Sequence, residues 1–139
     1  MDDLSLTVRR TINASPEKIF NAWLDPVMMA KFMSPGANMH VREARSDARV
    51  GGTFFVMMVD GKDIPHSGTY HAITPYSRLV FSWESPYSFP DTTVEITLTP
   101  VPDGTEVVLT QVKFASEQSR DGHLGGWTGI LAKLDALFA

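Results

Sequence analysis

The fold is decided by residues 94–138, which read VEITLTPVPDGTEVVLTQVKFASEQSRDGHLGGWTGILAKLDALF. As far as Gln111, apolar residues alternate with polar ones, and the turn sequence Pro102-Asp103-Gly104 divides this alternation into two antiparallel strands. After Phe114 the apolar residues recur every three or four positions, at Leu124, Trp127, Ile130, Leu131, Leu134, Leu137 and Phe138. This spacing predicts a long amphipathic helix with one apolar face that reaches the end of the chain.

The residues before this stretch predict five more strands and two short helices. The predicted strands cover residues 4–13, 39–45, 53–59, 67–74 and 79–83. Ser15-Pro16 and Asp25-Pro26 each place a capping side chain before a proline, which is typical of a helix start. We expect these helices to end near Leu24 and near Phe32-Met33. Pro86 and Pro90 bracket a predicted loop.

The resulting order of elements, β-α-α-β-β-β-β-β-β-α, predicts an α+β fold. Consecutive strands joined by short turns form an antiparallel meander of six to seven strands, one face of which needs cover. Only the long C-terminal helix is large enough to cover that face. A chain of 139 residues suits one domain, so we expect residues 1–139 to form a single unit.

Composition narrows the classes of function. The net charge is −4 and basic residues are scattered, so we expect no nucleic-acid partner. The sequence has no cysteine, which excludes disulfides and thiolate chemistry and suits a reducing compartment. It lacks both a signal-peptide pattern and an apolar run of about 18 residues, so we expect a cytoplasmic protein that is not membrane-embedded.

The sequence contains no recognisable catalytic or metal-binding motif. Its four histidines lack the spacing of metal ligands, so we assign no catalytic residue, no metal and no cofactor. If the chain were an enzyme, the candidate acids and bases would be His71, Glu43, Glu84 and Glu95. Strand alternation places Glu84 and Glu95 opposite the apolar face, so we expect both in solvent.

Strand alternation also predicts which side chains face the helix. Phe54, Val56 and Met58 share one face of their strand, and Tyr70 and Gln111 are in register with inward positions of theirs. These residues could fill a packed core or line an incomplete one. If inward, the two polar side chains would either orient a ligand or form internal hydrogen bonds to the helix.

The C-terminal helix carries an unusual number of glycines, each of which costs a helix about 1 kcal/mol relative to alanine. Gly122, Gly125, Gly126 and Gly129 lie within two turns and on the side away from the apolar stripe. They would therefore either permit close approach of another backbone or leave the first turns loose, rather than open room over the sheet.

Several short motifs together resemble a known family. They are SPEKIFNAW (15–23), Asp25-Pro26, DARVGGTF (47–54), Gly68 before Tyr70, Pro75, LVFSW (79–83), His123, Gly126-Trp127, Leu131 and Leu134. Their order and spacing, over nearly the whole chain, resemble the START-like (SRPBCC) superfamily, which has the birch-pollen-allergen-like or helix-grip fold. Within it, the sequence is most similar to the family named after the C-terminal domain of the activator of the Hsp90 ATPase.

The resemblance implies a strongly curved sheet gripping the C-terminal helix, with a cavity that binds a small hydrophobic molecule such as a lipid or polyketide. The ligand-binding residues expected on this basis are Trp23, Phe32, Phe54, Val56, Met58, Tyr70, Phe81, Trp83, Ile96, Leu109, Gln111, Trp127 and Leu131. Two alternatives stay open: a co-chaperone or protein-interaction domain acting in the stress response, and a polyketide cyclase-like or hydrolase-like enzyme. Phe55, Met57 and Val59, if exposed, would suit a chaperone partner or a homodimer.

Overall fold

The computed structural model describes residues 4–86 and 92–139. The elements in chain order are β1 (Ser5–Ile12), α1 (Pro16–Leu24), α2 (Pro26–Phe32), β2 (His40–Ser46), β3 (Thr53–Val59), β4 (Asp63–Thr74), β5 (Arg78–Ser82), β6 (Thr93–Val101), β7 (Gly104–Val112) and α3 (Glu117–Leu137). This order and the α+β helix-grip fold confirm the prediction from the sequence. The loop predicted between Pro86 and Pro90 lies largely outside the described residues.

The seven strands form one antiparallel sheet in the order β1-β7-β6-β5-β4-β3-β2. The sheet curls into a half-barrel because β4 changes partner along its length. Its first half pairs with β3, from Asp63 opposite Val59 to Thr69 opposite Thr53, and its second half pairs with β5. The start predicted for β4, at residue 67, is wrong by four residues, since the ladder continues to the turn at Gly61.

Side-chain caps fix the starts of all three helices. Ser15 Oγ accepts a hydrogen bond from the Lys18 amide at 3.3 Å, and Asp25 Oδ1 accepts one from the Val27 amide at 2.9 Å. Ser116 Oγ accepts a hydrogen bond from the Ser119 amide at 3.1 Å at the start of α3. Each cap satisfies a backbone donor that the helix itself leaves unpaired.

Helix α3 covers the concave face of the sheet, but fewer of its apolar residues are buried there than the sequence predicts. Its buried residues are Trp127, Ile130, Leu131 and Leu134. Leu124 and Leu137 are 38% and 39% exposed, so their predicted place on the buried face is wrong. Both lie outside the segment from Trp127 to Leu134 that supplies the buried residues of α3.

Gly129 allows the loop after α2 to press against α3. A Cβ at Gly129 would lie 2.2 Å from the carbonyl oxygen of Pro35, which no side chain could tolerate. One turn further on, Lys133 Nζ donates hydrogen bonds to Ser34 Oγ and Gly36 O, each at 2.8 Å. The close backbone approach predicted for the glycines is therefore confirmed at Gly129, and it fixes the loop that borders the site described next.

Candidate functional site

A cavity of about 490 Å³, partly open to solvent, lies beneath the first half of α3. Strands β3 and β4, the residues after β5, and the loop after α2 form its other walls. Its apolar lining consists of Pro35, Met39, Met58, Ile64, Trp83, Trp127 and Ile130. The volume falls within the roughly 300–1,000 Å³ that is usual for sites that bind small organic molecules.

Two indole rings form the inner end of this cavity. The ring centroids of Trp83 and Trp127 are 4.8 Å apart, so the two rings are in direct contact. Beyond them, Phe54 packs against Phe81 at 5.2 Å and against Tyr70 at 5.4 Å. The concave face is therefore solidly packed on one side of the tryptophan pair and hollow on the other.

His66 is the most buried polar group of the cavity wall. Its side chain is on β4, the residue as a whole is 8% exposed, and its ring lies 5.0 Å from that of Trp83. Nδ1 lies 3.0 Å from the carbonyl oxygen of Ile64. Burial lowers the pKa of His66 from 6.5 to about 4, an effect that hydrogen bonding to the Ile64 and Val56 backbone partly opposes and the nearby His123 reinforces. The ring is therefore neutral at physiological pH.

His123, on α3, is the second histidine of the cavity. Its Nδ1 lies 2.8 Å from the carbonyl oxygen of Ser119, one turn earlier in the helix, and its ring packs on Phe114. The remaining polar lining is supplied by Ser85, Ser116, Gln118 and Ser119. None of the described residues that line the cavity is Asp, Glu, Lys or Arg, so its polar groups are hydroxyl, amide and imidazole.

The structure brings three of the predicted ligand-binding residues to the cavity: Met58, Trp83 and Trp127. The others lie in the packed core, all of them buried: Trp23, Phe32, Phe54, Val56, Tyr70, Phe81, Ile96, Leu109, Gln111 and Leu131. Trp23 packs on Phe32 at 5.0 Å, and its Nε1 is buried without a hydrogen-bond partner among the described residues.

The two polar residues considered as ligand-orienting groups are both engaged within the protein. Gln111 Oε1 accepts a hydrogen bond from Trp127 Nε1 at 2.6 Å, and its Nε2 donates to Thr92 Oγ1 at 3.0 Å. The Tyr70 hydroxyl forms a hydrogen bond of 2.9 Å with Ser46 Oγ. Of the two sequence-based alternatives, Gln111 therefore follows the internal one, because it ties β7 to α3.

Several residues of the cavity were not singled out from the sequence. Ile64 and His66 could have been, because they precede the inward-facing Gly68 and Tyr70 by even numbers of residues on the same strand. Gly122 and Gly126 also line the cavity, so the expectation that the helix glycines open no room over the sheet is wrong for these two. Their missing side chains leave space under the first turns of α3.

The side chains considered for acid–base catalysis lie away from the cavity. His71, Glu43 and Glu84 are exposed, and Glu95 forms an ion pair with Arg78 at 2.7 Å. Across residues 4–86 and 92–139, no three His, Asp or Glu side chains are grouped closely enough to hold a metal ion. No helix in the same residues has the length and hydropathy needed to cross a bilayer.

Comparison with known families agrees with this architecture. Residues 13–139 match the model of the family described as Activator of Hsp90 ATPase homolog 1-like protein. The chain belongs to this family. No functionally curated protein matches this AHSA1-like chain.

Solved structures of AHSA1-like proteins and other bacterial proteins share the fold over almost their full length. A Chromobacterium violaceum protein has 26% identity and a TM-score of 0.85, with 96% of each chain covered. The AHSA1 protein from Silicibacter pomeroyi has 23% identity and a TM-score of 0.83, with 96% of each chain covered. The AHSA1-like protein from Aeromonas hydrophila has 22% identity and a TM-score of 0.80, covering 96% of this chain and 94% of its own.

Proposed function

We propose that this protein binds a small hydrophobic molecule, without catalysis, in the cavity between β3, β4 and α3. The observation that carries the proposal is the cavity itself: about 490 Å³ of space next to the buried side chains of Met58, Ile64, Trp83 and Trp127. An apolar ligand that entered this space would be stabilised by roughly 25 cal/mol for each Å² of apolar surface removed from water.

The packing around the cavity supports this proposal. A void lined by apolar side chains costs stability, because its walls lose contacts that a filled core would make. Here the helix positions whose side chains could fill the space are occupied by Gly122 and Gly126, which have no side chains. The loop that holds Pro35 and Met39 is fixed by Lys133 and Gly129, so the opposite wall is braced and not free to collapse inwards.

The experiment is a titration with N-phenyl-1-naphthylamine, a neutral apolar probe whose fluorescence rises in dry surroundings. We expect saturable one-to-one binding and a higher midpoint of thermal unfolding. At a free concentration 100 times the Kd, binding stabilises the protein by about 2.7 kcal/mol, which raises the midpoint by roughly 5–10 °C for a chain of this size.

A matched pair of helix variants tests whether the probe occupies this cavity. In Gly126→Leu the new side chain starts at the cavity wall, where a Cβ meets only Pro35 at 3.8 Å, so we expect the affinity to fall at least about tenfold. Gly125→Leu changes the neighbouring residue, which does not line the cavity and whose Cβ meets nothing within 4 Å. Equal affinities of the two variants, or no saturable binding by the native chain, would refute the proposal.

A co-chaperone role is the second candidate, favoured by the family to which the chain belongs. The outer face of β3 would be the contact surface. Phe55, Met57 and Val59 are half-buried there, and the Arg45 guanidinium lies 4.6 Å above the Phe55 ring. Stimulation of an Hsp90 ATPase by the native protein, lost in Phe55→Ser but retained in Gly126→Leu, would favour this candidate. A homodimer through the same face, and a cytoplasmic location, also stay predictions, for sedimentation and cell fractionation to test.

A further inference from the structure

We propose that His66 selects ligands that carry a hydroxyl or another neutral hydrogen-bond donor, and that the site rejects carboxylates. The natural ligand would then be a neutral hydrophobic alcohol or phenol and not a fatty-acid anion. This inference rests on the binding function proposed above, since it names the chemical class that the same cavity takes.

The first step is the tautomer of His66. A carbonyl oxygen can only accept a hydrogen bond, so the 3.0 Å contact between Nδ1 and Ile64 O places the ring proton on Nδ1. A neutral imidazole has one proton, and Nε2 therefore carries a lone pair that can accept a hydrogen bond. Burial, which lowers the pKa of His66 to about 4, keeps the ring in this neutral form.

The second step is to establish which space the lone pair of Nε2 faces. The hydrogen bond to Ile64 O uses Nδ1, and although the Val56 backbone also lies close to the ring, no hydrogen bond of standard geometry joins Nε2 to a described residue. Trp23 Nε1 is the one side-chain N or O atom of the described residues that is both fully buried and unpartnered, so Nε2 is not completely enclosed. The residue is 8% exposed and lines the cavity, so the space that Nε2 meets is the cavity. An acceptor with only slight access to water is poorly satisfied, and a ligand O–H or N–H would satisfy it.

The third step concerns charge. A carboxylate would meet a lone pair at His66 and no Lys or Arg side chain among the described residues of the lining. The N-terminus of α3 borders the cavity and would attract an anion. However, Ser116 already caps the Ser119 amide, and Glu117 places a negative charge in the same turn. These groups weaken the attraction, so the neutral donor remains the favoured class.

The test compares three naphthalenes of similar size at pH 7: 2-naphthol, 2-methylnaphthalene and 2-naphthoate. Their Kd values are measured by displacement of N-phenyl-1-naphthylamine from the native protein and from His66→Phe, His66→Gln and His71→Gln. The preference is the Kd of 2-methylnaphthalene divided by that of 2-naphthol. We expect His66→Phe to reduce this preference by roughly 3- to 10-fold, the usual worth of one hydrogen bond.

The other variants are controls. His66→Gln retains an acceptor oxygen near the position of Nε2, so the preference should be largely kept. His71 lies on the same strand but is exposed, so His71→Gln should behave as the native chain. A measurement on the native protein needs no variant: the His66 Nε2 resonance in a long-range ¹H–¹⁵N spectrum should shift with 2-naphthol and not with 2-methylnaphthalene.

The outcomes separate this inference from the function on which it rests. If the naphthalenes displace the probe but His66→Phe keeps the native preference, the hydroxyl selectivity is refuted and the binding function survives. Tighter binding of 2-naphthoate than of 2-naphthol would likewise refute it, in favour of an anion at the α3 N-terminus. If the probe does not bind at all, both proposals are refuted.

Discussion

Acidification should destabilise this protein through His66. The pKa of His66 is lowered from 6.5 to about 4 by burial, whereas in the unfolded chain the ring keeps its ordinary value. Between these two values the unfolded state binds a proton that the folded state does not, so the free energy of unfolding falls as the pH falls. Since one pKa unit corresponds to about 1.4 kcal/mol, His66 removes up to about 3 kcal/mol between pH 6.5 and pH 4.

The assay is urea unfolding at a series of pH values from 7.5 to 4, for the native chain and for His66→Phe. Because other groups of the protein also contribute to the pH dependence of stability, the informative quantity is the difference between the two proteins. Phenylalanine cannot take up a proton, and it removes the hydrogen bond between the ring and the Ile64 carbonyl, a cost that does not depend on pH. The native chain should therefore lose up to about 3 kcal/mol more than the variant on acidification.

The same reasoning predicts the NMR titration of the ring. The Cε1–H resonance of His66 should stay at its neutral position until the pH approaches 4. A difference between native and variant stabilities that is constant from pH 7.5 to pH 4, or a resonance that titrates near 6.5, would refute the burial of a neutral ring at this site. His71→Gln, a change at an exposed position on the same strand, serves as the control.

Two further changes test how α3 is held on the sheet. Gln111→Met should destabilise the protein by about 1–3 kcal/mol in urea unfolding, because it leaves the buried Trp127 indole N–H without its acceptor, while probe affinity changes little. Gly125→Ala should stabilise the protein by up to about 1 kcal/mol, since its Cβ meets open space, whereas Gly129→Ala should destabilise it because the new Cβ would collide with the Pro35 carbonyl.

Each of these changes has an outcome that would contradict its reasoning. If Gln111→Met abolished probe binding without loss of stability, Gln111 would be a ligand group and not the tie between β7 and α3. If both alanine variants were stabilised equally, the close contact between Gly129 and the loop after α2 would be absent in solution.

The strands and helices of this fold could be predicted because their signals are local. After Phe114 the spacing of apolar residues changes from every second position to every third or fourth, and this change identifies α3. The prolines at residues 16 and 26 identify the starts of α1 and α2. The start of β4 differs from the prediction because the turn at Gly61 is tight, so the ladder between β3 and β4 begins already at Asp63. Strand alternation correctly placed Gln111 inward, but its partner Trp127 is 16 residues away on another element.

The cavity itself could not be located from the sequence. Whether an inward side chain fills space or borders it depends on which neighbours reach across the sheet. Trp83 and Trp127 meet at 4.8 Å and divide the concave face into a packed part and a hollow part. Nothing in the spacing of either residue indicates that contact. His66, in contrast, precedes the inward-facing Gly68 and Tyr70 by two and four residues, so alternation indicates its direction once β4 is extended beyond the predicted start at residue 67.

The most direct test of the central claim is a measurement of where a bound ligand lies. In a complex with 2-naphthol, intermolecular NOEs should connect the ligand protons to the methyl groups of Met58 and Ile130, which line the cavity beneath α3. NOEs to Met57 and Val59 on the outer face of the sheet, with none to Met58 or Ile130, would contradict the account.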